Sequence, residues 1–260
     1  MEENKIQEKV NIIGYGFVGQ ATGIGLRRLG YDVTAYDIRE KENIYKEKEF
    51  NGIPLIVGEK MPDSGINIVC IADKVLEDGR QEIGHIAKTL DQLNGKGITI
   101  LRTTMLPRLI VGLKFNFYWV EFLHERKAVE EFINPDRVVV GRRTEEKFPF
   151  EGKFSPIYYC TPEEASHIKY LSNIWNAMRI AFVNEFGDNL ISEGLDKERI
   201  LNFFFKKQKY LRWGNAFGGH CLPKDTRAYL KEYPDLLFLN AAIKANQIHR
   251  GIYSNLESIY

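Results

Sequence analysis

The chain has 260 residues, 44% of them hydrophobic and 27% charged, with a formal net charge of +1. This is the composition of an ordinary globular protein of one or two domains, not of a disordered chain. The charge balance gives no electrostatic reason to expect nucleic acid or an anionic membrane as partner, and no apolar run approaches the ~20 residues that a membrane span requires.

The N-terminal MEENKIQEKV is charged and polar, unlike a signal or transit peptide, so the cytoplasm is the expected compartment. KVNIIGYG is then a β-branched run ending in glycines. FVGQATGIGLRRLG follows with helical spacing and a terminal Gly30, and YDVTAYD is a second strand ending in Asp37. Strand, glycine turn, helix and strand within about thirty residues make a βαβ unit. The charge run REKENIYKEKEF, residues 39–50, reads most simply as a solvated surface segment. GINIVCIA (65–72), GITILRTT (97–104), FNFYWVEF (115–122) and DRVVVG (136–141) read as further strands, with a helix over RQEIGHIAKTLDQL (80–93). Strands alternating with helices predict a Rossmann-type α/β domain over residues 1–160, with a doubly wound, mostly parallel sheet.

A last strand, PIYYC, closes that domain, and residues 161–260 are expected to form an all-helical second domain. Thr161, Pro162 and Glu164 supply an N-cap, a first helical proline and the reciprocal partner of a capping box. Ile168, Leu171, Trp175, Met178, Phe182 and Phe186 recur at spacings of three and four, the mark of a long amphipathic helix that stops near Gly194. DKERILNFFFKKQ and LLFLNAAIKANQIHRGIYSNLESIY are further helices, and AFGGHCLPKDTRAYL (216–230) lies between them.

GYGFVG places Gly14, Gly16 and Gly19 in the G-x-G-x-x-G pattern, with a strand before and a helix after. The first glycine permits the tight turn, the second lets the backbone approach a pyrophosphate, and the third lets helix and strand pack closely. Asp37, eighteen positions beyond the last glycine, would accept hydrogen bonds from the adenosine ribose. Its charge would repel a 2′-phosphate, so NAD is the expected cofactor rather than NADP.

The three cysteines are too few and too scattered for a disulfide framework or a metal site. Cys70 and Cys160 lie in apolar β-like runs and read as buried, inert thiols. Cys221 differs. Pro223 suggests a helix start near residue 222, where the helix dipole and Lys224 would raise the thiolate fraction. Gly218 and Gly219 would let a substrate approach the backbone, and Asp225 would share a helix face with Cys221. On these residues alone, an activated nucleophile and a structural cysteine are both open. Lys169 and Asn173, four apart on the long helix, either donate together to an oxyanion or sit on its polar face. Glu121, Glu125 and Thr104 are further candidates, Thr104 because it ends a strand where open α/β sheets place their ligands.

In order, these stretches resemble the UDP-glucose/GDP-mannose dehydrogenase family. IIGYGFVG resembles its cofactor motif, RTTMLP its Lys-Ser-Thr-Val-Pro stretch, and EFLHERKAVEEFINPDRVVVG its P-E-F-L-R-E-G block. EASHIKYLSNIWNAMRIAFVNEF resembles its central helix, and FGGHCLPKDT its G-G-x-C-L-P-K-D block. The resemblance implies a two-step, NAD-dependent oxidation of the C6 alcohol of a nucleotide sugar, most simply UDP-glucose, through a thiohemiacetal and a thioester on Cys221. It implies catalytic roles for Lys169, Asn173, Asp225, Thr104, Glu121 and Glu125. It implies cofactor contacts from Gly14, Tyr15, Gly16, Phe17, Val18, Gly19, Asp37, Thr104 and Lys224. Substrate contacts would come from Phe122, Leu123, Lys169, Asn173, Phe217, Gly218 and Gly219. It further implies a homodimer through the helical domain and no metal. Several features depart from the family pattern. Its third, nucleotide-sugar-binding domain is expected to be lacking, the Thr-Pro after the fourth strand is replaced within CIADKVLEDG, and Arg102, Val120 and His124 stand for the usual Lys, Pro and Arg. Two other readings compete: a non-catalytic or partner-dependent NAD-binding relative, and a 3-hydroxyacid-type dehydrogenase making a single hydride transfer.

Overall fold

A computed structural model describes residues 9–206, 208 and 210–253. It divides into two compact units. The first holds the described residues up to Lys74 together with Glu82–Lys169, and the second holds Val75–Gln81 and the described residues from Tyr170 onward. The sequence expectation put the division at 160/161; the units part instead within one unbroken helix. The first eight residues and the end of the last expected helix, beyond Tyr253, lie outside the described residues.

The first unit begins with β1 (Lys9–Ile13), α1 (Phe17–Arg28), β2 (Asp32–Asp37), β3 (Leu55–Val57) and β4 (Ile66–Val69). A short hairpin, β5 (Lys74–Val75) and β6 (Gln81–Glu82), follows, and its tip belongs to the second unit. Then come α2 (Gly84–Leu93), β7 (Ile98–Leu101), α3 (Pro107–Ile110), β8 (Phe117–Trp119), α4 (Ala128–Ile133), β9 (Val138–Arg142) and β10 (Ile157–Cys160). The sheet order is β10-β9-β8-β7-β4-β1-β2-β3. All pairs are parallel except β8 with β9, so β9 and β10 run against the rest. This is the expected Rossmann-type doubly wound sheet. Its order reverses between β1 and β4, and the crevice at their carboxyl ends is where such sheets hold ligands.

The strands are apolar runs because helices cover both faces. Val10, Ile12, Ile24, Val33 and Ile68 form one core, and Ile13, Val69, Ile86, Leu90 and Leu101 the other. Trp119 centres an aromatic cluster with Phe132, Phe148, Phe150 and Phe154, at ring distances of 5.2–5.5 Å.

The second unit is helical: α5 (Pro162–Ser192, shared with the first unit), α6 (Lys197–Phe205), α7 (Cys221–Glu232) and α8 (Leu237–Tyr253). The Thr161 capping box forms as expected: Thr161 N–H donates to Glu164 (2.9 Å), and Glu164 N–H to Thr161 Oγ1 (3.2 Å). Among the described residues no helix is long and apolar enough to cross a membrane.

Three expectations are corrected. The segment 39–50 is not simply solvated: Tyr45 donates to the Phe17 carbonyl (3.1 Å), Phe50 stacks on Tyr15, and Gln20 donates to the Glu42 carbonyl (2.9 Å). Tyr45 and Phe50 dock on α1 and the turn before it, Glu47 and Glu49 pair with Arg28 of α1, and Lys41 pairs with Asp37. Of the six residues of the apolar stripe read from α5, four face outward, with Leu171 67%, Trp175 54%, Phe182 56% and Phe186 46% exposed, while Ile168 and Met178 are half-buried, Ile168 against the first unit's second core. The packed side is Tyr170, Ile174, Ala177, Ala181 and Asn184, also spaced by threes and fours. Small residues mark it because neighbours come close: a Cβ on Gly187 would stand 2.2 Å from the Trp213 ring. Finally, Cys160 is half-buried rather than buried.

Candidate active site

The glycine turn is built as a dinucleotide cradle. Gly14 has φ +88°, and a Cβ there would meet the Ile71 backbone nitrogen at 2.8 Å. A Cβ on Gly19 would lie 2.0 Å from the Gly14 carbonyl oxygen, so only glycine lets α1 sit against β1. A Cβ on Gly16 would meet nothing within 4 Å, which leaves that side open toward the start of α1. The first turn of α1 carries no acidic residue to oppose an anion. These residues fit a bound dinucleotide.

Asp37 ends β2 as expected, but its carboxylate is partly engaged. Oδ2 accepts from Tyr15 N–H (2.7 Å); Oδ1 accepts from Arg39 N–H (3.1 Å) and pairs with Lys41 Nζ (3.2 Å). A carboxylate has about four acceptor positions, so one remains for a ribose hydroxyl. Lys41 also offsets the charge expected to repel a 2′-phosphate. Tyr15 is buried, stacked on Phe50, with its hydroxyl pushed upward by burial, while Phe17 and Val18 open the helix half-buried.

Glu121 lies two residues past β8, buried, and accepts from Lys169 Nζ (2.7 Å) through Oε1 and from Leu123 N–H (2.8 Å) through Oε2. Burial pushes its carboxyl up. The Lys169 charge and hydrogen bond, the Leu123 N–H and the Arg102 charge outweigh that and hold it below the ordinary carboxylate value. Glu121 is therefore an anion locked to a buried lysine. The Lys169 ammonium also sits 5.6 Å from the centre of the half-buried Phe122 ring. Glu125 is exposed, in a 3₁₀ turn from Glu125 to Lys127. Thr104 does not end a strand: β7 stops at Leu101, and Thr104 is half-buried in the turn before α3. Its neighbour Thr103, not singled out from sequence, donates to the Ile71 carbonyl (2.6 Å) and ties the loops after β7 and β4 together.

Arg102 is buried under these groups. Its guanidinium stacks 4.1 Å over Trp119, and its Nε donates to Thr22 (3.0 Å). Burial lowers its pKa to about 10. Nearby Cys70 is pushed up to about 12 by burial, and Cys160 up to about 11, so both thiols stay protonated at neutral pH.

In the second unit, Asn173 is buried and donates to Asp225 Oδ2 (2.6 Å), while Lys224 Nζ pairs with Asp225 Oδ1 at 2.9 Å. Asp225 and Lys224 are themselves buried. Cys221 is the first residue of α7 and exposed, so the thiol stands where the helix presents its unpaired N–H groups. Phe217 is buried against Ala177 and Ala181; Gly218 is half-buried and Gly219 exposed, with φ +71°. The structure thus brings the singled-out residues together as two sets, Glu121 with Lys169 in the first unit and Asn173 with Asp225 and Lys224 in the second. Within the chain Lys169 and Asn173 have different partners. Lys169 neutralises Glu121, whereas the Asn173 amide donates a hydrogen bond to Asp225, whose charge is paired by Lys224.

Comparison with known proteins points one way. The profile of the UDP-glucose/GDP-mannose dehydrogenase family, central domain, matches residues 163–248. A UDP-glucose 6-dehydrogenase of Rickettsia felis is 28% identical over 92% of this chain, and a GDP-mannose 6-dehydrogenase of Pseudomonas aeruginosa is 26% identical over 64% of it. The chain spans 64% and 46% of the lengths of those two relatives. Among solved structures, a UDP-glucose dehydrogenase from Pyrobaculum islandicum superposes with a TM-score of 0.78 at 22% identity, covering 95% of this chain and 70% of that one. A GDP-mannose dehydrogenase ternary complex from Pseudomonas aeruginosa gives 0.66 at 20% identity, covering 96% and 71%. At such identities the structural likeness establishes the fold.

Proposed function

Because the chain belongs to the UDP-glucose/GDP-mannose dehydrogenase family, we propose that it is an NAD-dependent dehydrogenase that oxidises the C6 alcohol of a nucleotide sugar, UDP-glucose foremost, to the carboxylate. The observation that carries this reading is the exposed thiol of Cys221 at the start of α7, one turn ahead of a buried Asp225 held by Asn173 and Lys224.

NAD bound at the Gly14–Gly19 turn and Asp37 supplies the two-electron acceptor for each oxidation. The chain's own residues do the rest. After the alcohol becomes an aldehyde, Cys221 Sγ adds to the carbonyl carbon. The S–C bond forms, the C–O π bond opens, and the oxygen takes a proton to give a thiohemiacetal. Its oxidation leaves a thioester. Water then adds to the thioester carbonyl, the C–S bond breaks, and the carboxylate departs with the thiol restored. Lys169 and Asn173 donate to the oxyanions in these steps. Glu121, buried and held ionised, is favoured over exposed Glu125 for orienting the water, with Thr104 and Asp225 in supporting proton roles. In the same reading, Phe122 and Leu123 of the first unit and Phe217, Gly218 and Gly219 of the second are each assigned contacts to the substrate. A cytoplasmic homodimer is part of it.

The test is UDP-glucose with NAD. Two NADH per sugar are expected, and Cys221→Ser should cut acid formation at least about a hundredfold while the first oxidation survives. One NADH per turnover, indifferent to Cys221, would instead point to a 3-hydroxyacid-type enzyme. NADH binding without turnover on any UDP- or GDP-sugar would leave a non-catalytic relative.

A further inference from the structure

The segment that delivers Cys221 has no secondary structure of its own. Residues 214–220 lead into α7 without helix or strand, and backbone groups of Gly214, Asn215 and Phe217 are met by side chains of α5 and α8. Asn184 on α5, fully buried, accepts from Gly214 N–H (2.9 Å) and donates to the Asn215 carbonyl (3.0 Å). Asn246 on α8, also buried, accepts from Phe217 N–H (2.7 Å) and donates to the Phe217 carbonyl (3.0 Å). Arg250 donates to that same carbonyl at 3.2 Å. His249 joins the two helices: Nδ1 lies 2.6 Å from Asp188 of α5, and Nε2 lies 2.6 Å from the Gly214 carbonyl. Asp188 also accepts from Trp213 Nε1 (2.7 Å).

An amide side chain that meets both the N–H and the C=O of one residue does what a neighbouring strand would do for it. Asn246 does this for Phe217, while Asn184 spans two neighbours, the Gly214 N–H and the Asn215 carbonyl, so the segment is pinned at 214–215 and at 217. Only Gly218, Gly219 and His220 then separate the second pin from Cys221. Neither glycine carries a side chain that could hold the approach to α7, and Gly219 takes a φ of +71° that other residues rarely adopt. The amide on α8 therefore fixes the chain just ahead of α7, and it acts together with the Asn173–Asp225 bond that holds α7 itself.

We infer that Asn246, seconded by Asn184 and the Asp188–His249 pair, is a positioning residue for the Cys221 thiol. This rests on the reading of Cys221 as the nucleophile. Asn246 touches no reacting atom; it acts through the Phe217 peptide.

Two variants of the whole chain test it. Asn246→Asp keeps shape and acceptor but turns the donor into an acceptor facing the Phe217 carbonyl; Asn246→Ala removes both contacts. The readouts are site-resolved alkylation of Cys221 by iodoacetamide and amide exchange over residues 214–220. Cys221 alkylation should change at least about threefold in both variants, and exchange over the segment should rise at least about tenfold in Asn246→Ala. NADH binding, which uses the glycine turn, should stay within about twofold. In turnover the second oxidation should slow more than the first. Where Asn246→Ala does not fold, the isosteric Asn246→Asp carries the test. Alkylation and exchange equal to the parent's overturn the inference, and so does lost stability with Cys221 labelling unchanged in the folded state. A parent that oxidises no nucleotide sugar sinks the proposed function instead, while labelling and exchange still decide the clasp.

Discussion

Glu121 and Lys169 are both buried and 2.7 Å apart, an arrangement with consequences for stability as well as chemistry. Forming a buried ion pair returns little net stability, because two desolvation penalties offset the attraction; removing one partner strands the other and costs about 3–5 kcal/mol. Lys169→Met should therefore destabilise the protein by about 3 kcal/mol at pH 8, the Leu123 N–H and the Arg102 charge still shielding Glu121. The sign of the pH dependence follows from the depressed folded-state value of Glu121. Its contribution is present above the unfolded carboxylate value and is lost as pH falls through the folded one. The gap between parent and variant should thus shrink toward pH 4, where Glu121 of the variant becomes protonated. Urea titrations of both proteins at pH 8 and pH 4 measure it, and a gap that widens in acid would contradict the pairing.

At the scale of elements, the glycine turn separates packing from binding. A Cβ on Gly19 collides with the Gly14 carbonyl, whereas a Cβ on Gly16 enters open space at an ordinary φ of −82°. Gly19→Ala should force α1 off β1, lowering stability by about 2 kcal/mol or more and weakening NADH at least about tenfold. Gly16→Ala should leave stability within about 0.5 kcal/mol but weaken NADH comparably, because the methyl fills the space that the pyrophosphate needs. Fluorescence titration and thermal melts on the pair distinguish the two roles; equal loss of stability in both would reject the distinction. This turn was legible in the sequence because a βαβ crossover obeys local rules: glycine where the backbone turns or touches, an acid where the next strand ends. The capping box at Thr161 was legible for the same reason. What the sequence hid is non-local. That Lys169 answers Glu121 and Asn173 answers Asp225 depends on side chains 48 and 52 positions apart. The strand Leu55–Val57 was missed because three residues carry too little pattern, and the hold of Tyr45 and Phe50 on α1 was masked by the charges around them. The Asn184 and Asn246 anchors read as ordinary polar residues until the segment they hold is seen to lack a ladder.

At the scale of the whole molecule, α5 carries two apolar stripes, and among the described residues the second is largely uncovered from Leu171 to Phe186. Large side chains stood out in the sequence, yet the packed stripe runs from Tyr170 and Ile174 into Ala177, Ala181 and Gly187, small where a neighbouring element comes close. The outward stripe of Leu171, Trp175, Phe182 and Phe186 recurs at intervals of four, seven and four along a straight run of helix. Such a row is self-complementary about a two-fold axis crossing its middle, where each residue of one copy meets a counterpart on the other. Burying one such side chain from full exposure is worth about 1.5–3 kcal/mol; these are 46–67% exposed, so four from each copy contribute about 7–13 kcal/mol. That is of the same order as the association cost of about 4–15 kcal/mol, which it exceeds over the lower part of that range. The protein should be a dimer in solution at micromolar concentration. Trp175→Glu, which places a charge in the seam without touching the packed side, should give a folded monomer whose mass by light scattering is half the parent's. Helix content and NADH affinity should stay unchanged, since neither the packed stripe nor the glycine turn is altered. A parent that scatters as a monomer, or a Trp175→Glu variant that remains a dimer, would remove α5 as the pairing surface.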